Sequence, residues 1–417
     1  MPQRDDWRRR AAEWVRALLA APKADAAPAP PPEAPDAARA GARQVVAVFA
    51  ATRAALLAAT YVGYVLVRAP QYSVGSVAGL FTAWDRWDAL RYLSIAAHGY
   101  ATPAETAFFP LYPLLIHILT LPFGGQGGYV AGLLVANAAF LGALLLLRTL
   151  VAGQWGGAVA LRAVTLLAVF PGAIYTFAPY NESLFLLCSI GCVLALRRRR
   201  WALAGALGGL AALTRAAGLL LLLPFAYEWW RAWRAGVWGK GAERWQAAAW
   251  ALAIPAGMAL YAAYCAARFS DALAFAHAQA QWNRVLTWPW VGLWWQAQGL
   301  AQAAPASFFQ AHDLLDLGAT LLMAALLVAG WRRLPRAESL YLAALLLLVI
   351  SEPGGVRTHL HDPLTSNMRF AIEMFPGFTT LALLTARRPA WYQAIVVGSA
   401  ALLAVLAVIF VLGRWLV

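Results

Sequence analysis

Charge is scarce in this chain. Only 12% of its 417 residues are Asp, Glu, Lys or Arg, against 62% that are hydrophobic. A soluble domain usually carries about twice that charge fraction. A water-soluble globular protein is therefore excluded, and an all-α polytopic membrane protein is expected. Acids are the scarcer sign, 19 against 33 Lys and Arg, for a net charge of +14. That excess would suit a nucleic-acid binder, but the basic residues cluster in short loops between apolar runs, the positive-inside pattern of membrane proteins. No nucleic-acid partner is expected; the bilayer is. Cysteine is nearly missing. Cys188, Cys192 and Cys265 lie in or beside apolar runs, lack nearby zinc ligands, and read as small buried residues. There is no Walker motif, no GxGxxG after a strand, no HExxH, no CxxC and no internal repeat.

Residues 1–43 contain Arg8-Arg9-Arg10, an amphipathic patch from Trp14 to Leu19 and a Pro/Ala run, with no apolar stretch close behind the basic residues. They read as a cytoplasmic tail rather than a secretory signal. Residues 44–417 read as one transmembrane domain. Its apolar runs, at about 20 residues per span, give candidates at 44–67, 127–150, 159–178, 180–196, 202–213, 216–230, 246–267, 313–331, 338–352, 369–386 and 392–413. That is about eleven spans, within a range of roughly nine to twelve. The Arg197–Arg200 run, the group Arg231, Arg234, Lys240 and Arg244, the group Arg332, Arg333 and Arg336, and the pair Arg387 and Arg388 all fall on one side if the N-terminus is inside.

The rare acids then gather on the opposite, outer side. Trp84-Asp85-Arg86-Trp87-Asp88 sits in a long outer segment, 68–126, and its two acids share a face if the segment is helical. In the same segment Phe108 to Phe123 is apolar but punctuated by Pro110, Pro113 and Pro122, which fits a re-entrant or interfacial helix. Two further outer loops, 268–312 and 353–368, complete the active-site face. The first carries Gln279, Gln281, Trp282, Asn283, Arg284, Trp288, Trp290, Trp294 and Trp295; the second carries Arg357, His359, His361, Asp362, Ser366 and Asn367. Aromatic rings with amides and acids suit a sugar site, while Trp alone also suits an interfacial belt. Ionisable groups are costly in hydrocarbon, so a chain this apolar keeps them for a use.

The segment Asp85-Arg86-Trp87-Asp88-Ala89, continuing through Ile95-Ala96-Ala97-His98-Gly99-Tyr100 to Ala107-Phe108-Phe109-Pro110-Leu111-Tyr112-Pro113-Leu114, resembles the first luminal loop of the GPI mannosyltransferase 2 family (phosphatidylinositol-glycan class V). Three later pieces are similar in order: Ala178-Pro179-Tyr180-Asn181-Glu182-Ser183-Leu184-Phe185, Leu213-Thr214-Arg215-Ala216-Ala217-Gly218, and Ser366-Asn367-Met368-Arg369-Phe370 with Phe375-Pro376. The resemblance implies a GT-C-type bundle and an inverting transfer from a polyprenyl-phosphate sugar, mannose or another hexose, at the non-cytoplasmic face. The resemblance does not fix the acceptor, and a lipid- or membrane-linked one is expected. A bacterial cell membrane is the expected location, from the Arg-, Ala- and Trp-rich loops and the Pro/Ala-rich tail. No partner subunit can be named.

An inverting transfer needs one base, and a lipid phosphate leaves without a general acid. Asp88 is the expected base, with Asp85 orienting it or sharing the role; the competing reading is that one Asp caps a helix beginning near Asp88. Arg369, Arg215, Arg91 and His98 are expected around the donor phosphate, and Glu182, Asn181, Tyr180 and Trp87 around the sugar or acceptor. No metal or other cofactor is required, although Asp85 and Asp88 together, or His359 and His361 with Asp362, leave a divalent ion open. The alternative class is a transporter or flippase, which Arg215 and Glu373 near spans keep open.

Overall fold

The structure is a computed structural model, and it describes residues 33–67, 76–238, 241–282, 284–354 and 363–414. Most of the tail, and Asn283, Arg357, His359, His361 and Asp362, lie outside the described residues. Among the described residues there are helices and no strand. Fourteen helices reach ten residues. They are α1 Pro35–Tyr61, α2 Asp88–His98, α3 Leu111–Thr120, α4 Gly128–Trp155, α5 Gly157–Ala168, α6 Glu182–Arg197 and α7 Trp201–Thr214. After these come α8 Leu222–Arg234, α9 Ala253–Phe269, α10 Pro289–Gln302, α11 Phe308–Gly330, α12 Arg336–Ser351, α13 Phe375–Thr385 and α14 Pro389–Val411.

Every expected span coincides with a helix, but the spans are unequal. Among the described residues, five helical stretches are long and apolar enough to cross a bilayer: Pro35–Val67, Gly128–Trp155, Glu243–Phe269, Phe308–Gly330 and Pro389–Val411. The other six expected spans are shorter or interrupted. Proline and short 3-10 turns break them, as at Pro171–Thr176 and Ala216–Leu221. The first helix begins at Pro35, inside the segment read as tail, with proline at its first position, where a missing N–H costs nothing.

The short, apolar helices α5, α6, α7 and α13 are packed inside the longer ones; α6 is buried along nearly its whole length. The close approach of α7 to α9 depends on missing side chains. A Cβ at Gly257 would collide with the Gly209 carbonyl oxygen, and one at Gly209 would press on the Ala253 carbonyl. Gly205 and Gly209, and Ala253 and Gly257, are each four apart. These are small-residue pairs that let two backbones touch where lipid supplies no hydrophobic drive between helices.

The segment read as an outer loop with an interfacial helix is a folded helical layer. Its helices α2 and α3 pack on each other and on α4, with Tyr112 Oη donating to the Gly132 carbonyl (2.9 Å) and His117 Nδ1 2.8 Å from the Ala96 carbonyl. The segment 268–312 is also largely helical, holding α10 and the first turn of α11.

The two charge groups separate along one helix. At the far end of α6, Arg197 bonds Glu338 (2.9 Å) and Gln154 (3.2 Å) and lies 4.0 Å from Glu228, which also bonds Arg231 (2.6 Å). Glu182 begins the same helix, roughly 22 Å away at 1.5 Å per residue.

Replacing Gly257 by Val should lower the thermal unfolding temperature in detergent, the overpacking costing about 1–3 kcal/mol. Gly398→Val, in an α14 face with open space around it, should leave the temperature nearly unchanged. Equal behaviour of the two variants would contradict the close α7–α9 contact.

Candidate active site

Four breaks in helix meet at the Glu182 end of the bundle, and each delivers charged or polar side chains. The first is the turn before α2. Trp84 fixes it: the indole is buried, donates Nε1–H to Thr60 Oγ1 (2.8 Å), and packs 4.8 Å from Phe177 and 5.0 Å from Phe410. Trp87 follows in a left-handed conformation (φ 54°), which turns the chain sharply into α2.

That turn separates the two acids. Asp85 precedes it, is absent from the walls of the cavity described below, and has a buried Oδ1 with no hydrogen-bond partner; burial pushes its carboxyl up, against the opposing charge of Arg86. The shared helical face expected for Asp85 and Asp88 is therefore not formed, because the helix starts only at Asp88. Asp88 stands in the first turn of α2 but is directed at a guanidinium: Oδ2 accepts from Arg369 Nη1 at 2.5 Å, while Oδ1 has no partner among the described residues.

The second break, after α5, runs through Pro171 and Pro179 to the start of α6. It presents Tyr175, Tyr180, Asn181 and Glu182. Glu182 is fully buried in the first turn of α6, where the helix dipole favours a negative charge. Its Oε1 accepts from Arg215 Nη1 (2.9 Å) and from Arg369 Nε. Tyr180 lies under Arg369 (4.7 Å from guanidinium carbon to ring centroid), with Tyr175 at 5.1 Å, and its hydroxyl donates to the Arg86 carbonyl (3.1 Å). Asn181 Nδ2 donates to the Thr214 carbonyl (2.8 Å), tying this break to the third.

The third break is Arg215 itself, extended between α7 and the 3-10 turn that follows. Its Nη1 is 2.8 Å from Glu373 Oε1 and 3.4 Å from Asn181 Oδ1. The fourth, Asn367–Phe370 with Ala371–Glu373, delivers Arg369 and Glu373. It is pinned by Asp316 of α11, whose two carboxylate oxygens accept from the backbone N–H of Ser366 (3.2 Å) and Met368 (2.7 Å). Asp88, Arg369, Glu182, Arg215 and Glu373 thus form one chain of alternating charge.

Beside this chain opens a cavity of about 460 Å³. Asp88, Asn181, Arg215, Arg369 and Glu373 line it, together with Tyr92, Arg284 and Glu352. Its remaining wall is apolar, with Phe108, Phe109, Phe275, Leu345 and Leu348. Glu182 and Tyr180 do not line the cavity; both are buried, Glu182 against Arg215 and Arg369 and Tyr180 against Arg369. Arg91, His98 and Trp87 are exposed and do not line it. Glu373, Arg284 and Glu352 were not expected at the site. Glu373 and Glu352 had a sequence signal, acids inside or at the end of apolar runs; Arg284 had little, lying in a loop where charges are ordinary. Among the described residues no group of three or more metal-ligating side chains assembles.

Residues 47–228 match the family model described as mannosyltransferase (PIG-V). The mouse GPI alpha-1,6-mannosyltransferase 2 is 34% identical over 156 residues, 35% of this chain and 31% of that protein. The GPI mannosyltransferase 2 of Chaetomium globosum is 32% identical over 177 residues, 34% of this chain and 37% of that protein. The matched part thus spans about a third of the length of these relatives. Among solved structures, the oligosaccharyltransferase of Archaeoglobus fulgidus in its apo form is similar, with a TM-score of 0.46 and 14% identity over 89% of this chain and 56% of that one.

Removing one member of the buried charge chain leaves its partners uncompensated. Arg215→Met should destabilise the protein by about 3–5 kcal/mol, read by denaturant unfolding in detergent, and Arg215→Met with Glu373→Gln should recover part of that loss. The exposed Arg91→Met should cost little. An Arg215→Met protein as stable as wild type would contradict the ion-pair chain. Over residues 47–228, less than half of its length, this chain is similar to the mannosyltransferase (PIG-V) family, and the curated relatives carry the same likeness.

Proposed function

We propose that this protein is an inverting glycosyltransferase of GT-C type. It moves a mannosyl or related hexosyl unit from a polyprenyl-phosphate sugar to a lipid- or membrane-linked acceptor, at the non-cytoplasmic face. The observation that carries this reading is the state of Asp88. One carboxylate oxygen is anchored by Arg369, the other has no partner among the described residues, and the side chain lines a cavity with both polar and apolar walls. A base held in direction but open on one oxygen suits single displacement. The acceptor hydroxyl oxygen attacks the anomeric carbon, its proton passes to Asp88, and the bond to the phosphate oxygen breaks with its electron pair on the lipid phosphate. Orientation is supplied by Arg369, itself held by Glu182 and sandwiched over Tyr175 and Tyr180.

The apolar side of the cavity suits the prenyl chain of such a donor. Asn181, Arg215 and Glu373, also in the lining, are the polar groups available to sugar hydroxyls. The family match supports the mannosyl reading, since the curated relatives are named as mannosyltransferases. The positive-inside count supports the outer face for the site: the Arg197, Arg231 and Arg336 groups gather at the far end of α6 from Glu182.

Purified in detergent and given polyprenyl-phosphate mannose with a membrane-lipid extract as acceptor, the wild-type protein should transfer mannose. Asp88→Asn should lower the rate by roughly 10²–10⁴, the usual worth of a general base. Asp85→Asn should keep most of the activity, because that carboxyl lies outside the cavity. Full activity in Asp88→Asn would sink the mechanism, and a protein that moves the sugar lipid across vesicles without transferring its sugar would be a flippase.

A further inference from the structure

The three guanidinium groups of the cavity are not equivalent. Arg369 lies between Asp88 and Glu182, and Arg215 between Glu182 and Glu373. Arg284 has no carboxylate within ion-pair distance among the described residues. Its Nη1 and Nη2 donate to neutral carbonyls instead, those of Glu352 and Thr365, both at 3.2 Å. These are two of the five N–H donors of a guanidinium. Its carbon sits 5.3 Å from the Phe370 ring, whose centroid Arg215 approaches to 4.8 Å.

The backbone around Arg284 is built to hold it there. Residues 284–288 run alongside the end of α12, with Val285 N–H donating to the Pro353 carbonyl (3.2 Å) and Thr287 N–H to the Ser351 carbonyl (2.8 Å). Burial lowers the affinity of Arg284 for its proton; the charge of Glu352 opposes this, and the positive charges of Arg215 and Arg369 add to it. A cation fixed next to two others, with no anion in contact, lacks the partner that the other two have.

We infer that Arg284 is the anion-binding group of the cavity, and that it takes the phosphate of an amphiphilic phosphate ester. This rests on the transferase reading only for which ester is bound. A planar guanidinium with unused donors matches a phosphate's oxygens. Phe108, Phe109, Phe275 and Leu286, which line the same cavity, would meet the hydrocarbon next to that phosphate. The donor phosphate thereby moves from Arg369 and Arg215, whose charges are already matched, to a residue whose charge is not.

The test uses the full chain in detergent and farnesyl phosphate, a prenyl phosphate without sugar, as probe. Wild type should bind it. Arg284→Gln should bind roughly ten- to hundredfold more weakly, the usual worth of a charge-assisted pair. Arg268→Gln, an exposed arginine away from the cavity, should bind as wild type does. Farnesol should bind equally to all three, and inorganic phosphate at equal concentration should not displace farnesyl phosphate. Undiminished binding by Arg284→Gln would overturn the inference, as would absence of wild-type binding; displacement by inorganic phosphate would overturn the amphiphile assignment. If Arg284→Gln fails to fold, the ³¹P shift of bound farnesyl phosphate compared between wild type and Arg284→Lys decides, an unchanged shift overturning the contact. A wild type that binds through Arg284 yet transfers no mannose would contradict the transferase reading and leave the subsite standing.

Discussion

The site depends on one electrostatic constraint: three carboxylates and two guanidiniums must be buried together or not at all. Any one of them alone in an apolar bundle would cost several kcal/mol in lost hydration. In alternation, Asp88, Arg369, Glu182, Arg215 and Glu373 offset one another's charge, and the three inner members each lie between two opposite charges. That interdependence fixes geometry as well as charge. Glu182 cannot shift without loosening both arginines, and Arg369 cannot shift without releasing Asp88. The tyrosine faces beneath Arg369 remove its remaining freedom.

The fold supplies the places where such a chain can exist. A continuous transmembrane helix satisfies its own backbone and offers few polar contacts. A broken one exposes carbonyls and N–H groups, which is tolerated at membrane depth only where protein or a cavity covers them. Here four breaks meet, and the polar atoms they free bond across to one another: Asn181 to the Thr214 carbonyl, Asp316 to the Ser366 and Met368 N–H groups, Arg284 to two loop carbonyls. The long helices around them need no such devices. They are the outer wall, and the breaks between the short ones present the clustered charges.

The helices and several members of the buried charge chain are legible in the sequence, for a common reason. Long apolar runs are legible because hydrocarbon demands them, and Asp88, Glu182, Arg215 and Arg369 stand out because it penalises them. Their pairing was not legible. Arg369 meets Glu182 across 187 residues and Asp88 across 281, and hydropathy contains no information about which distant segments touch. Asp85 and Asp88 looked equivalent at a spacing of three; the left-handed Trp87 between them, which no periodicity reveals, sends one away from the cavity. Arg91 and His98 were drawn in by sharing the motif's helix, yet they lie on its exposed side. Arg284 was one polar residue among many in a Trp- and Gln-rich segment, and only its lack of a carboxylate partner distinguishes it.

A single displacement at the anomeric carbon, with Asp88 as base, leaves its mark in the stereochemistry of the product. NMR of the purified product should show an anomeric configuration opposite to that of the sugar in the polyprenyl-phosphate donor, because the acceptor oxygen attacks from the face opposite the leaving phosphate. A product that retains the donor configuration requires a second, nucleophilic displacement, and would contradict the role given to Asp88.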